Sequence, residues 1–185
     1  QRLALQKYHR SLLESGEYWR QSMTRFDAQG RVDATLMSNL RIMRRTLVNQ
    51  ISKRCDKSKE TITSVVHSLL SRSIFIKYLE ERKDSNGKTV FPQGFYSNFL
   101  DSAKQYTDVL SSKAATYSLF RTLKEKFNGD TLQVSEVEIE IITQNDLDEL
   151  RTFILGDSEL ESKQLALWPF YSFDIIPIQL ISSIY

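Results

Sequence analysis

The chain has 185 residues, is 41% hydrophobic, 26% charged and 11% aromatic, and carries a net charge of +2. That composition excludes a disordered chain over most of the length, and six glycines with three prolines are too few for a many-turned β architecture. A single cysteine, Cys55, excludes internal disulfides and cysteine-based zinc sites, which points to a reducing, cytoplasmic setting.

The first residues read as two short amphipathic helices. Leu5, Tyr8, Leu12 and Leu13 share one side, Ser15-Gly16 breaks the run, and Tyr18, Trp19, Met23 and Phe26 continue it as far as Gln29-Gly30. From Asp33 the period sharpens, because Leu36, Leu40, Met43, Leu47 and Ile51 recur at spacings of four, three, four and four. At 100° per residue, Arg41 and Arg45 fall on the opposite half of that helix and Arg44 on its flank. Asp56 or Ser58 can cap a further helix to about Lys83, carrying Ile62, Val65, Val66, Leu69, Leu70, Ile74, Phe75, Ile76 and Leu79. Around 74–79 its apolar positions go nearly all the way round, as in a helix buried on every side.

Beyond it, Asp84-Ser85-Asn86-Gly87-Lys88 has the chemistry of a turn, and Pro92 with Gly94 keeps the chain irregular as far as Phe95. Helices are predicted over 96–111 and 114–127, the second ending at Asn128-Gly129. Residues 132–141 stay open between two readings. Ser135-Glu136-Val137-Glu138 matches a capping box, whereas Val137, Ile139 and Ile141 alternate as a strand would. A helix follows with Thr143 as cap, Leu147, Leu150 and Ile154 inward, and Gly156 past its end. Residues 165–173 are short, aromatic and extended by pattern, and Pro177 suits the first turn of a last helix. The predicted fold is therefore mainly α, an irregular helical bundle with at most short β pieces near 132–141 and 165–173. Residues 1–30 are expected to form an N-terminal helical arm and 31–185 the main helical domain.

Charge divides the chain unequally. Residues 1–92 hold 18 Lys and Arg against 9 Asp and Glu, and 93–185 hold 7 against 14. Either the first half meets a polyanion or an acidic partner, or the two halves attract each other. The densest patch is Arg41, Arg44, Arg45, Lys53, Arg54, Lys57 and Lys59, with Asp56 as its one acid.

Catalytic patterns are missing. His9 and His67 stand far apart with no acid at helical spacing, and the glycines are too scattered for a phosphate-cradling loop. Two acid-x-Lys triplets, Glu81-Arg82-Lys83 and Glu161-Ser162-Lys163, lack the strand and Pro-Asp context of a metal-dependent nuclease. No catalytic, cofactor-binding or metal-ligating residue is assigned. The longest apolar runs, such as Ile74-Phe75-Ile76, are too short to span a membrane, and Gln1 has no basic and apolar leader behind it. The chain is thus expected to be a segment of a longer polypeptide.

Four phrases together resemble one family: LLSRSIFIKYLEERK at 69–83, LFRTLKEKFNGD at 119–130, LWPFY at 167–171 and FDIIPIQLISSIY at 173–185. Their order and spacing are similar to the helical region just upstream of the methyltransferase domain in adenine-specific DNA methyltransferases of the type IIG restriction-modification kind. The resemblance covers roughly residues 33–185. In one detail the chain departs from the family, since Thr131-Leu132-Gln133 stands where an apolar pair and proline commonly follow FNGD.

The resemblance implies a parent chain that methylates adenine with S-adenosylmethionine and that in this family usually carries a nuclease as well. The cofactor's Gly-rich loop and the Asn-Pro-Pro-Tyr type motif for a flipped adenine are absent here. Trp168-Pro169-Phe170-Tyr171 lacks the leading Asn and the second Pro. The chain therefore reads as a non-catalytic helical connector, cut where the methyltransferase domain should begin, with no cofactor of its own. Its expected partners are the DNA backbone, bound weakly and without sequence preference through Arg41, Arg44, Arg45, Lys53, Arg54, Lys57 and Lys59, and the missing methyltransferase domain, on which Trp168, Phe170, Tyr171 and Phe173 would pack. The alternative is a helical protein-interaction module that docks a partner or neighbouring domain through its acidic half.

Overall fold

The computed structural model describes residues 28–83, 86–127 and 132–156. The chain divides into two compact units, 1–35 and 36–185, and the packing below is that of the second. Six α-helices and one 3-10 turn follow one another among the described residues, and the only β pairing there is a single antiparallel bridge between Lys83 and Thr89. The protein is mainly α, as its scarce turn-formers and helix-period stripes predict. The two helices expected before residue 27, the extended stretch at 165–173, the helix after Pro177 and the Asn128-Gly129 cap lie outside the described residues.

Helix α1 (Ala28–Ser52) starts before the predicted Asp33 and buries the whole predicted stripe, with Val48 added to Leu36, Leu40, Met43, Leu47 and Ile51. Each such side chain removed from water contributes on the order of 1.5–3 kcal/mol, which is what holds a helix whose opposite face is cationic. Helix α2 (Lys59–Glu81) is capped by Ser58 and not by Asp56, the Ser58 hydroxyl accepting the Thr61 N–H at 3.2 Å. Its apolar residues surround the axis because neighbours cover it on several sides, and Ile62, Val66, Leu69, Ile74 and Ile76 are all but inaccessible.

The predicted helix over 96–111 does not form as one element. A 3-10 turn (Tyr96–Asn98) gives way at Ser102, whose φ of 61° no helix accommodates, and α3 (Tyr106–Val109) restarts with Asp108 accepting the N–H groups of Lys104 and Gln105 at 2.9 and 3.2 Å. Aromatic packing organises the segment before the break. Phe91 stacks on Phe95 at 4.6 Å between centroids, and Phe95 meets Phe99 edge-on at 5.4 Å.

Helix α4 (Lys113–Phe127) follows its prediction closely. Residues 136–141, left open by the sequence, are helical: α5 (Glu136–Ile141) is capped by the Ser135 hydroxyl, which accepts the Glu138 N–H at 3.1 Å. The second half of a capping box is absent there, because the Glu138 carboxylate turns inward to Arg72 instead. Helix α6 (Gln144–Leu155) begins at Thr143 and ends on Gly156 in the left-handed region, φ 80°, as predicted.

All six helices share one hydrophobic core, and two polar anchors are set into it. Arg72, fully buried in the middle of α2, grips Glu138 of α5 at 2.7 and 3.2 Å, donates to the Gln133 carbonyl at 2.5 Å and lies 4.6 Å over the Phe120 ring of α4. Asp146, 1% exposed in the first turn of α6, accepts from the Thr143 N–H and hydroxyl at 2.7 and 2.8 Å and from the Arg54 guanidinium. Replacing Asp146 with Ala removes a helix cap and strips Arg54 of its counter-ion, and should cost about 2–3 kcal/mol in urea denaturation. Asp148→Ala, an exposed change on the same helix, should stay within about 0.5 kcal/mol. Equal effects from the two would contradict the anchor's role.

Candidate nucleic-acid interface

The basic cluster separates into two groups once the helices are in place. Arg41, Arg44 and Arg45 stand exposed on α1, Arg41 and Arg45 on the half away from its buried stripe and Arg44 at the stripe's edge. Lys53, in the turn after α1, and Lys59, the first residue of α2, are exposed too. None of the five makes an ion pair among the described residues.

Arg54 and Lys57 are placed differently. Arg54 reaches from the α1–α2 turn to the Asp146 carboxylate and to the Ile141 carbonyl at 3.2 Å, so its charge is met inside the fold. Lys57 sits 3.1 Å from Glu140, a pair so open to solvent that it adds at most about 1 kcal/mol. Both contacts join a cation of the basic half to an anion of the acidic half, and the Arg72–Glu138 pair does the same in the core. The charge asymmetry is thus partly neutralised within the molecule.

What remains exposed is a cationic face, with Arg54 and Lys57 lining a separate recess together with Asp56, Glu140 and Thr143. Guanidinium groups held away from a packed stripe present planar, multidentate donors to phosphate oxygens without disturbing the core. Beside this face, α2 lines an open groove with Lys59, Thr63, Ser64, His67 and Ser68, and with Glu60 as its acid. His67 is half-buried there, and burial first and the Arg44 charge second hold its imidazole below the ordinary value. The sequence marks His67 only as an isolated histidine. Its proximity to Arg44 comes from the packing of α1 against α2.

Among the described residues, no three His, Cys, Asp or Glu side chains gather as a metal ion would require, and no helix is long and apolar enough to cross a membrane. Glu81 and Arg82 lie at the C-terminal end of α2, where Lys77 pairs with Glu80 and Glu81. The triplet at 81–83 is therefore part of a helix end.

The pH dependence of stability checks the placement of His67. Its folded pKa lies below the unfolded value, so as pH falls through about 6.5 the unfolded chain takes up the proton first and stability declines. Urea midpoints measured over that window should fall more steeply for the parent than for His67→Gln, which has no imidazole there to titrate. A constant difference between the two at every pH would contradict it. Comparison of the chain with protein-family models, with curated proteins and with solved structures gives no match.

Proposed function

We propose that this chain is a non-catalytic helical connector that rests on the DNA backbone, within an adenine-specific DNA methyltransferase of the restriction-modification kind. The observation that carries the reading is the exposed trio Arg41, Arg44 and Arg45 of α1, outside its buried apolar stripe and without an acidic partner among the described residues. Such a face binds phosphates by charge and geometry and reads no base sequence. The methyltransferase context rests on the four phrases at 69–83, 119–130, 167–171 and 173–185. In this reading S-adenosylmethionine and the flipped adenine belong to another domain of the parent chain.

Docking through the acidic half draws less support. Glu138 and Asp146 are buried in internal pairs and Glu140 faces Lys57, so three of the acids that set the second half's charge already have intramolecular partners.

Five exposed cations that engage about three phosphates should give a slope of log affinity against log salt near −3. Replacing Arg41, Arg44 and Arg45 together with Glu is expected to abolish most duplex binding for every sequence alike, with helicity intact by circular dichroism. Fluorescence anisotropy with labelled duplexes of unrelated sequence measures it. If the triple variant keeps the parent's affinity and salt slope, the face is not a DNA contact and the docking reading gains.

A further inference from the structure

The α2 groove beside the arginine face carries chemistry that a plain cationic surface does not need. Lys59-Glu60, Thr63-Ser64 and His67-Ser68 are adjacent pairs that recur every four residues, so they form one ridge with functional groups about 6 Å apart along the helix. Thr63, Ser64 and Ser68 supply hydroxyl donors and Lys59 an ammonium. His67 is half-buried at the C-terminal end of the row, with Arg44 of α1 near enough for its charge to act on the imidazole.

We propose that this groove is a phosphodiester-binding subsite of the α1 interface, in which His67 takes up a proton as the DNA backbone enters. The inference rests on the DNA-backbone reading above and deepens it. A neutral imidazole offers one N–H donor, whereas the imidazolium offers two and a charge. Arg44 opposes that charge in the free protein. An entering phosphate reverses the balance, because its negative charge offsets Arg44 and favours the imidazolium directly. Lys59 and Glu60 are the other charged groups that line the groove, about two helical turns from His67 at the N-terminal end of the row. Binding and protonation are therefore linked, and affinity rises as pH falls.

The test is anisotropy with a labelled duplex at low salt, run from about pH 8 to about pH 5.5, the window in which imidazole alone among ordinary side chains changes charge. The parent should bind roughly fivefold more tightly at the acid end, as expected when binding raises the imidazole pKa by a little under one unit. His67→Gln should bind with no pH slope beyond that contributed by the rest of the chain, and at the parent's alkaline affinity. His67→Lys, charged throughout, should be flat as well but match the parent's acid-end affinity. That last result separates a phosphate contact from a packing role, which lysine would not restore. A parent that binds equally at all pH values, or a His67→Gln variant that keeps the parent's slope, overturns the subsite and leaves the arginine face standing. Absence of duplex binding by the parent at every pH overturns both.

Discussion

The guanidinium of Arg72 lies wholly inside the protein, in the middle of its most apolar helix, with Glu138 as counter-ion. Two ions so placed lose several kcal/mol of hydration each, and only close, multidentate geometry repays it. The geometry here is of that kind, with both carboxylate oxygens and the Gln133 carbonyl engaged and the Phe120 ring beneath the guanidinium. Three segments distant in sequence thereby acquire one register: α2, α4 and the stretch from Leu132 to Glu138. Around the pair, burial pushes the Tyr106 and Tyr117 hydroxyls above their ordinary range, and the nearby Glu138 charge adds to it. The region is a dry electrostatic centre in which a change of charge has no solvent to absorb it.

That centre also explains which parts of the fold are legible in the sequence. The α1 stripe, the Ser58 and Thr143 starts and the Gly156 stop are local signals, and local physics decides them. Residues 132–141 are not locally decided, since helix and strand patterns overlap there. Glu138 must face inward to reach Arg72, Ser135 can cap its N–H, and the two together select the helix. The misread 96–111 segment fails for a related reason. Its aromatic residues pack among themselves through Phe91, Phe95, Tyr96 and Phe99, and the backbone breaks at Ser102 to allow it. An arginine inside the run LLSRSIFI is the one clue to the buried pair that the sequence does contain, and it does not name the partner 66 residues away.

The cationic surface follows from the same sorting of charge. Arg54 and Arg72 are drawn to acids of the second half, while Arg41, Arg44 and Arg45 are kept outside by the stripe they flank. Helix periodicity alone predicts that the three arginines are exposed. It cannot distinguish them from Arg54, whose role depends on where α6 begins, or relate them to His67, which depends on how two helices pack. Rigid placement matters to the proposed function, because a connector that orients other domains on DNA must hold its phosphate contacts at fixed positions.

The claim beneath all of this is that the two oppositely charged halves are locked together at Arg72 and Glu138. A double-mutant cycle in urea, built from the parent, Arg72→Met, Glu138→Leu and the two combined, tests it directly. Each single change should cost about 3–5 kcal/mol by stranding a buried charge, and the combined variant should cost clearly less than their sum, with a coupling of about 2 kcal/mol or more. Strictly additive effects, or single changes each within about 0.5 kcal/mol of the parent, would contradict it.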